Sequence, residues 1–288
     1  MRYHTPSTFE DAVAIAAAAG GATRFLAGGT DVLVQMRSGV AAPEDLIDLK
    51  YIQGVGEITR LSDGSWHLGV AVPGAKLRAH THLASEWPGI VEAMGLVGST
   101  QVQSRATLAG NLCNGSPAAD SVPALVAAQA SVVILGPHGT RQIPVEAVPK
   151  GPGRTTLAHG EVISAIRLPP RGPNAADAYL RFIPRSEMDI AVAGCAVSLR
   201  LDGGLISEAR VALGAVAPTV LVASEAARAI VGTSLDEDAL QKLADAASAA
   251  CKPITDRRGT IEFRTHMAGI LAKRAARIAY ERAKGSSK

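Results

Sequence analysis

Cysteine is scarce. The 288 residues hold three, Cys113, Cys195 and Cys251, far apart and without a C-x-x-C pair. An iron–sulfur cluster takes four thiolates, so this chain alone supplies none. An odd, scattered set is no disulfide framework either, and the three read as small buried hydrophobes. Aromatic residues are only 3% and charged residues 19% of the chain, with a net charge of +3 and both signs dispersed. A basic stripe interleaved with aromatics is missing, which argues against nucleic acid as a partner. No run of eighteen apolar residues is present, so no membrane span is expected. The opening Met1-Arg2-Tyr3-His4-Thr5-Pro6 lacks the apolar stretch of a signal peptide, and a cytoplasmic location is the expectation.

What the chain has is a 47% apolar fraction rich in small residues, and enough length for two domains. Ser7-Thr8-Phe9-Glu10 reads as a capping box for a helix ending near Gly20-Gly21. A short buried strand at Arg24–Ala27 and a short helix at Asp31–Met36 follow. A strand at Leu46–Lys50 completes a small α/β unit that closes near Gly54–Gly56. Strands are expected at Trp66–Val72, Ser131–Leu135, Arg141–Val145 and Val162–Leu168, and helices at Leu77–Trp87, Ile90–Leu96 and Val122–Gln129. Pro169-Pro170-Arg171-Gly172-Pro173-Asn174 is a stiff, turn-rich linker. Beyond it, strands at Ala191–Leu201 and Ala209–Val216 flank an Asp202-Gly203-Gly204 hairpin turn. Ser234-Leu235-Asp236-Glu237 is a second capping box. Phe263, Met267, Leu271 and Ile278 mark one face of a last helix. The expected class is α+β with mixed sheets, not one doubly wound sheet. The expected domains are 1–172, with subdomains of about 1–56 and 57–172, and 173–288.

Two glycine loops stand out: Ala27-Gly28-Gly29-Thr30-Asp31 and Thr107-Leu108-Ala109-Gly110-Asn111. Glycine has no Cβ, so a ligand can lie against the main chain, and successive amides in such loops form a nest for an anion. One loop could bind a phosphate. Two, separated by a stretch long enough for a small domain, could clamp both ends of a dinucleotide pyrophosphate. Taken alone, the first loop is most simply a turn, and Asp120 is most simply the N-cap of the helix it precedes. His80 and His82 stand two apart, on different faces of a helix, and read as surface histidines rather than a metal pair. Glu187 and Asp189 sit at a loop-to-strand transition, where a solvated role fits better than paired acid–base work.

Several segments, in order over almost the whole chain, resemble the flavin-binding medium subunit of molybdenum hydroxylases, the group that includes carbon monoxide and xanthine dehydrogenases. They are Phe25–Asp31, Gly98–Arg105, Ala106–Asp120, Ile163–Pro169, Met188–Ala191, Lys252–Asp256 and Glu262–Arg264. The resemblance implies FAD in a fold like that of vanillyl-alcohol oxidases, followed by a C-terminal domain of carbon monoxide dehydrogenase flavoprotein type. It assigns Arg24, Phe25, Leu26, Ala27, Gly28, Gly29, Thr30, Asp31 and Val32 to the first FAD loop, on the pyrophosphate. It assigns Thr107, Ala109, Gly110 and Asn111 to the second. By the same resemblance Asp120 hydrogen-bonds FAD hydroxyls, Ile163 packs on the flavin, and Arg181 stands near the isoalloxazine. Two positions depart from the family pattern. Ala109 replaces a usual glycine, which would set that loop slightly farther from the cofactor. Arg181 replaces a usual lysine, keeping the charge but changing the donor geometry.

The implied role is electron relay, with no catalytic residue and no metal in this chain. A large molybdopterin subunit oxidises the substrate, [2Fe-2S] clusters on a small subunit pass the electrons to FAD here, and an external acceptor removes them. A positive charge at Arg181 would favour the reduced flavin. Two other readings remain at the sequence level. A self-sufficient oxidase of the vanillyl-alcohol type would need a cap domain and often a flavin-linking histidine, and the chain has no obvious segment for either. A flavin-free interaction subunit would be colourless.

Overall fold

In the computed structural model, which describes residues 1–285, the chain builds three successive units of α+β structure. The last three residues of the expected C-terminal domain lie outside the described residues. The first unit runs β1 (Arg2–His4), α1 (Phe9–Ala18), β2 (Thr23–Leu26), α2 (Val32–Arg37) and β3 (Asp45–Asp48). Its three strands pair in the order β1-β3-β2, all parallel. The N-cap of α1 is Thr8, whose side chain accepts from the Asp11 amide, so the cap falls one residue later than the Ser7–Glu10 box. The helix ends at Ala18, ahead of the glycine pair.

The second unit begins with β4 (Ile58–Arg60) and β5 (Trp66–Gly69) and then coils through six helices. These are α3 (Gly74–Ala79), α4 (Thr81–Glu86), α5 (Pro88–Gly95), α6 (Thr100–Gln103), α7 (Leu108–Cys113) and α8 (Ser121–Ala127). β6 (Ser131–Gly136), β7 (Gly139–Pro144), the short pair β8 (Pro149–Gly151) and β9 (Arg154–Thr155), and β10 (Val162–Leu168) complete it. Five strands form one antiparallel sheet in the order β4-β5-β10-β6-β7. Ile134, Ile163 and Ile166 from that sheet and Leu125 from α8 are at most 2% exposed. Each such burial is worth about 1.5–3 kcal/mol, which fixes the sheet against its helices. His80 is not a surface residue of one long helix. The helix breaks there, and the His80 ring accepts from the Leu83 amide as N-cap of α4 while lying edge-on to Trp66.

The C-terminal unit comprises β11 (Ala175–Phe182), β12 (Ala193–Asp202), β13 (Leu205–Gly214), β14 (Leu221–Val222), α9 (Ser224–Arg228), α10 (Glu237–Ala250) and α11 (Ile261–Gly285). Its four strands pair antiparallel in sequence order. β13 starts four residues earlier than the alternation suggests, because Gly203 and Gly204, both at positive φ of 56° and 84°, close a two-residue hairpin. Every named sheet is thus purely parallel or purely antiparallel, where mixed sheets were expected. The α10 cap is Asp236, which accepts from the Ala239 amide, rather than Ser234. The buried face of α11 is mostly alanine: Ala268, Ala272, Ala275, Ala276, Ala279 and Ala283. These small side chains bring the helix close to β11 and β12, and Phe263, expected on one face with Met267, Leu271 and Ile278, is 39% exposed.

Arg171 of the linker ties the two large units together. Its guanidinium lies 3.7 Å from the Trp87 ring centre, and its Nη1 donates to Asp177 Oδ1 at 2.9 Å. Arg282 of α11 donates to the Asp177 carbonyl at 2.8 Å and pairs with Glu92 of α5. β11 is thereby held against α5 and carries its far end towards α8. No helix among the described residues is long and apolar enough to cross a membrane.

Candidate cofactor site

Both glycine loops open onto one cavity of about 660 Å³, between the first and second units. That is within the usual range for a site that encloses a small molecule. Loop one leaves the buried end of β2 and turns into α2. Gly29 makes the turn at φ +79°, a conformation glycine adopts without strain. Gly28 is required for a different reason: a Cβ there would land on the carbonyl oxygen of Arg105. The two loops are therefore in backbone contact. Loop two is pinned to α3 by the Gly74 amide, which donates to the Ala106 carbonyl at 2.9 Å.

The local bonding leaves amides free to face a ligand. Leu33 N donates to Gly29 O and Gln35 N to Asp31 O, so Thr30, Asp31 and Val32 precede the first bonded turn. In loop two, Thr107 Oγ1 accepts from Gly110 N at 2.9 Å and Thr107 O from Asn111 N at 3.0 Å. A Cβ on Gly110 would meet only Thr107 Oγ1, at 3.0 Å, so its other side is the open cavity. Gln35 Nε2 of α2 donates to Asn114 Oδ1 at 2.8 Å and staples the two loops at one end of the cavity.

Of the expected site residues, Arg24, Phe25, Ala27 to Val32, Thr107, Ala109, Gly110, Asn111 and Ile163 line this cavity. Leu26 does not: it is 7% exposed and points into the protein from β2. The Ala109 methyl is packed in the core at 2% exposure, so it leaves the cavity face of the loop to main chain. Asp31 makes no side-chain cap bond, and burial pushes its carboxyl upwards. Cys113 opens onto the cavity instead of being a buried hydrophobe.

Asp120 and Arg181 lie outside the cavity lining and pair with each other. Arg181 Nη1 donates to Asp120 Oδ2 at 2.6 Å, with both side chains under 10% exposed. Tyr179 Oη donates to the other oxygen, Oδ1, at 2.9 Å. Asp120 has helical backbone angles and no capping bond, so the expected N-cap role is overturned: its carboxylate is taken by β11. Burial raises its pKa to about 6, against the opposing pull of Arg181 and Tyr179. Arg181 Nε is buried with no partner among the described residues. The pair connects to the cavity through Asn111, whose Oδ1 accepts from Ser121 Oγ at 2.7 Å, one residue from Asp120. Asp189 is not solvated either: its carboxylate sits between Arg185 at 3.4 Å and Arg258 at 3.6 Å.

Sequence reasoning missed a third wall. Gly153, Thr155 and Leu157 to Val162 face the two loops across the cavity, and Gly153 N donates to Gly115 O at 2.9 Å. Glu161, held by Nε and Nη2 of Arg141, each at 2.7 Å, accepts from Ala158 N and shapes this wall. The only sequence signal was the Gly151-Pro152-Gly153 punctuation. Tyr179 was missed too, because nothing in the local pattern marks a strand residue as a partner of Asp120.

Two lobes close on one cavity, with a further α+β unit packed beside them. Residues 1–171 match the FAD-binding domain of molybdopterin dehydrogenases, and residues 178–279 match the carbon monoxide dehydrogenase flavoprotein C-terminal domain. The carbon monoxide dehydrogenase medium chain of Hydrogenophaga pseudoflava is 34% identical over 98% of each chain. A putative xanthine dehydrogenase FAD-binding subunit of Escherichia coli is 31% identical over 94% of this chain and 93% of its own. The solved carbon monoxide dehydrogenase of H. pseudoflava contains a chain that superposes with a TM-score of 0.93 at 35% identity, covering 98% of both. The chain belongs to the FAD-binding medium subunits of molybdenum hydroxylases. It is an FAD-binding oxidoreductase subunit.

Proposed function

We propose that this chain is the electron-transfer subunit of a heteromeric molybdenum hydroxylase, holding FAD in the cavity between its two glycine loops. The observation that carries the reading is the backbone contact at Gly28, which closes two amide-bearing loops on one space of about 660 Å³. FAD supplies two-electron acceptance and one-electron exchange when bound, and the protein supplies binding, orientation and electrostatics. The amides of Thr30, Asp31 and Val32, and those of Leu108 and Ala109, would hold the pyrophosphate. Asp31 would accept from a cofactor hydroxyl, and Ile163, an apolar side chain at 2% exposure, would pack against the ring. Asp120 and Arg181 would sit at the flavin end of the site, where the guanidinium favours added electrons.

In such an enzyme substrate oxidation belongs to a large molybdopterin subunit and the relay to a small [2Fe-2S] subunit, with an external acceptor receiving the electrons in the cytoplasm. Tagged chain isolated with its neighbouring gene products should bring down iron and molybdenum in fixed ratio to flavin. A chain that oxidises an organic substrate alone with oxygen, and captures neither metal, would refute the relay.

A further inference from the structure

The contact between the FAD-binding unit and β11 is more than packing. Tyr179 is 2% exposed, and its hydroxyl is placed by three features. Its amide donates to Glu92 Oε2 of α5 at 3.1 Å, which fixes the strand. Its ring passes over Gly194 of β12, where a Cβ would come within 2.6 Å of Oη. Its Oη then reaches Asp120 Oδ1 at 2.9 Å, leaving Oδ2 for Arg181. The other charged or titratable groups here are few. Glu92 is paired with Arg282 of α11, and Cys195 of β12, near Tyr179, is held protonated by burial. Ser121 and Asn111 contribute neutral bonds only.

We propose that Tyr179 is a positioning residue that sets the charge presented to the bound flavin, by holding Asp120 as the counter-ion of Arg181. This rests on the proposed function, in which the Asp120–Arg181 pair, just outside the cavity lining, lies at the flavin end of the site. Hydrogen bonds to a carboxylate favour its charged form. With the phenol in place, Asp120 is ionised at neutral pH and cancels Arg181. Without it, Asp120 takes a proton at higher pH, Arg181 stands uncompensated, and the flavin is easier to reduce.

The test is the midpoint potential of FAD on the full-length chain, followed by flavin absorbance from pH 5 to pH 9. The wild type should show a change of slope near pH 6 that Asp120→Asn removes. Tyr179→Phe should move that change upwards by about one pH unit, the equivalent of one hydrogen bond, and raise the potential at pH 7. Gly194→Ala, which pushes the phenol aside without removing it, should do the same and serves if Tyr179→Phe does not fold. A purely structural Tyr179 would lower the melting temperature but leave the slope change where it was. Retained FAD with an unmoved slope change in both variants overturns the proposal. So does loss of FAD from both variants when they remain folded. A wild-type potential that ignores Asp120→Asn overturns instead the placement of the pair beside the flavin.

Discussion

Replacing Gly28 by alanine should damage the protein before any cofactor is added, whereas replacing Gly110 should not. A methyl at position 28 meets the Arg105 carbonyl, with Ala106 Cα at 3.1 Å behind it. Both are backbone, so no side chain can swing away, and the loops must separate. Overpacking of this kind costs about 1–3 kcal/mol, and the absence of a flexible neighbour puts Gly28→Ala near the upper end. At roughly 2–4 °C per kcal/mol for a chain of this size, the flavin-free protein should melt about 6–12 °C lower. Parting the loops also removes at least one charge-assisted bond to phosphate, worth about 1.5–3 kcal/mol, so FAD should bind roughly ten- to a hundred-fold more weakly. Gly110 lies inside α7 with one contact, Thr107 Oγ1 at 3.0 Å, and open cavity beyond. Alanine there gains about 0.5–1 kcal/mol of helix preference but places its methyl in ligand space. Scanning fluorimetry of flavin-stripped protein and a fluorescence titration with FAD separate the two effects. Flavin-free Gly28→Ala that melts with the wild type would refute the backbone clash, and Gly110→Ala that binds FAD undiminished would refute the placement of ligand at α7.

Arg181→Leu leaves a buried carboxylate without its cation, a loss of about 3–5 kcal/mol when Asp120 is charged. Asp120 has its pKa raised to about 6, so in the wild type its contribution to stability falls as pH rises from about 4 to 6. In Arg181→Leu that fall should extend to higher pH, and urea midpoints should show a larger deficit at pH 8 than at pH 5. Arg171→Ala strips the face of Trp87 and orphans Asp177, which is 2% exposed, and should cost a similar 3–5 kcal/mol. Guanidinium unfolding followed by tryptophan emission would show the earlier midpoint. Asn111→Ala frees Ser121 from its Oδ1 and should cost about 1–2 kcal/mol of stability while weakening FAD binding, measured by calorimetry with and without cofactor.

The cavity loops were legible because their signal is local. A glycine pair after a short apolar strand needs no partner to be read, and the residues from Ala27 to Val32 and Thr107, Gly110 and Asn111 line one cavity. The reason for each glycine was not legible: only the fold shows that Gly29 needs its φ and Gly28 needs the space beside Arg105. Asp120 illustrates the same limit. Its position before a helix suggested a cap, but a buried carboxylate goes to the strongest donors, and Tyr179 and Arg181 lie 59 and 61 residues away. The alanine face of α11 was hidden because alanine carries little periodic signal, although it sets how closely a helix can approach a sheet. Capping boxes were misplaced by one or two residues where a neighbouring Thr8 or Asp236 competed for the same amides.

If FAD is held non-covalently in the cavity between the two glycine loops, acid precipitation frees it from the protein. Full-length chain purified with its partners should give up close to one FAD per chain into the supernatant, leaving a colourless pellet, and Gly110→Val prepared in the same way should release almost none while its far-UV circular dichroism is unchanged. Flavin that stays with the pellet, or Gly110→Val that releases as much FAD as the wild type, would contradict the account.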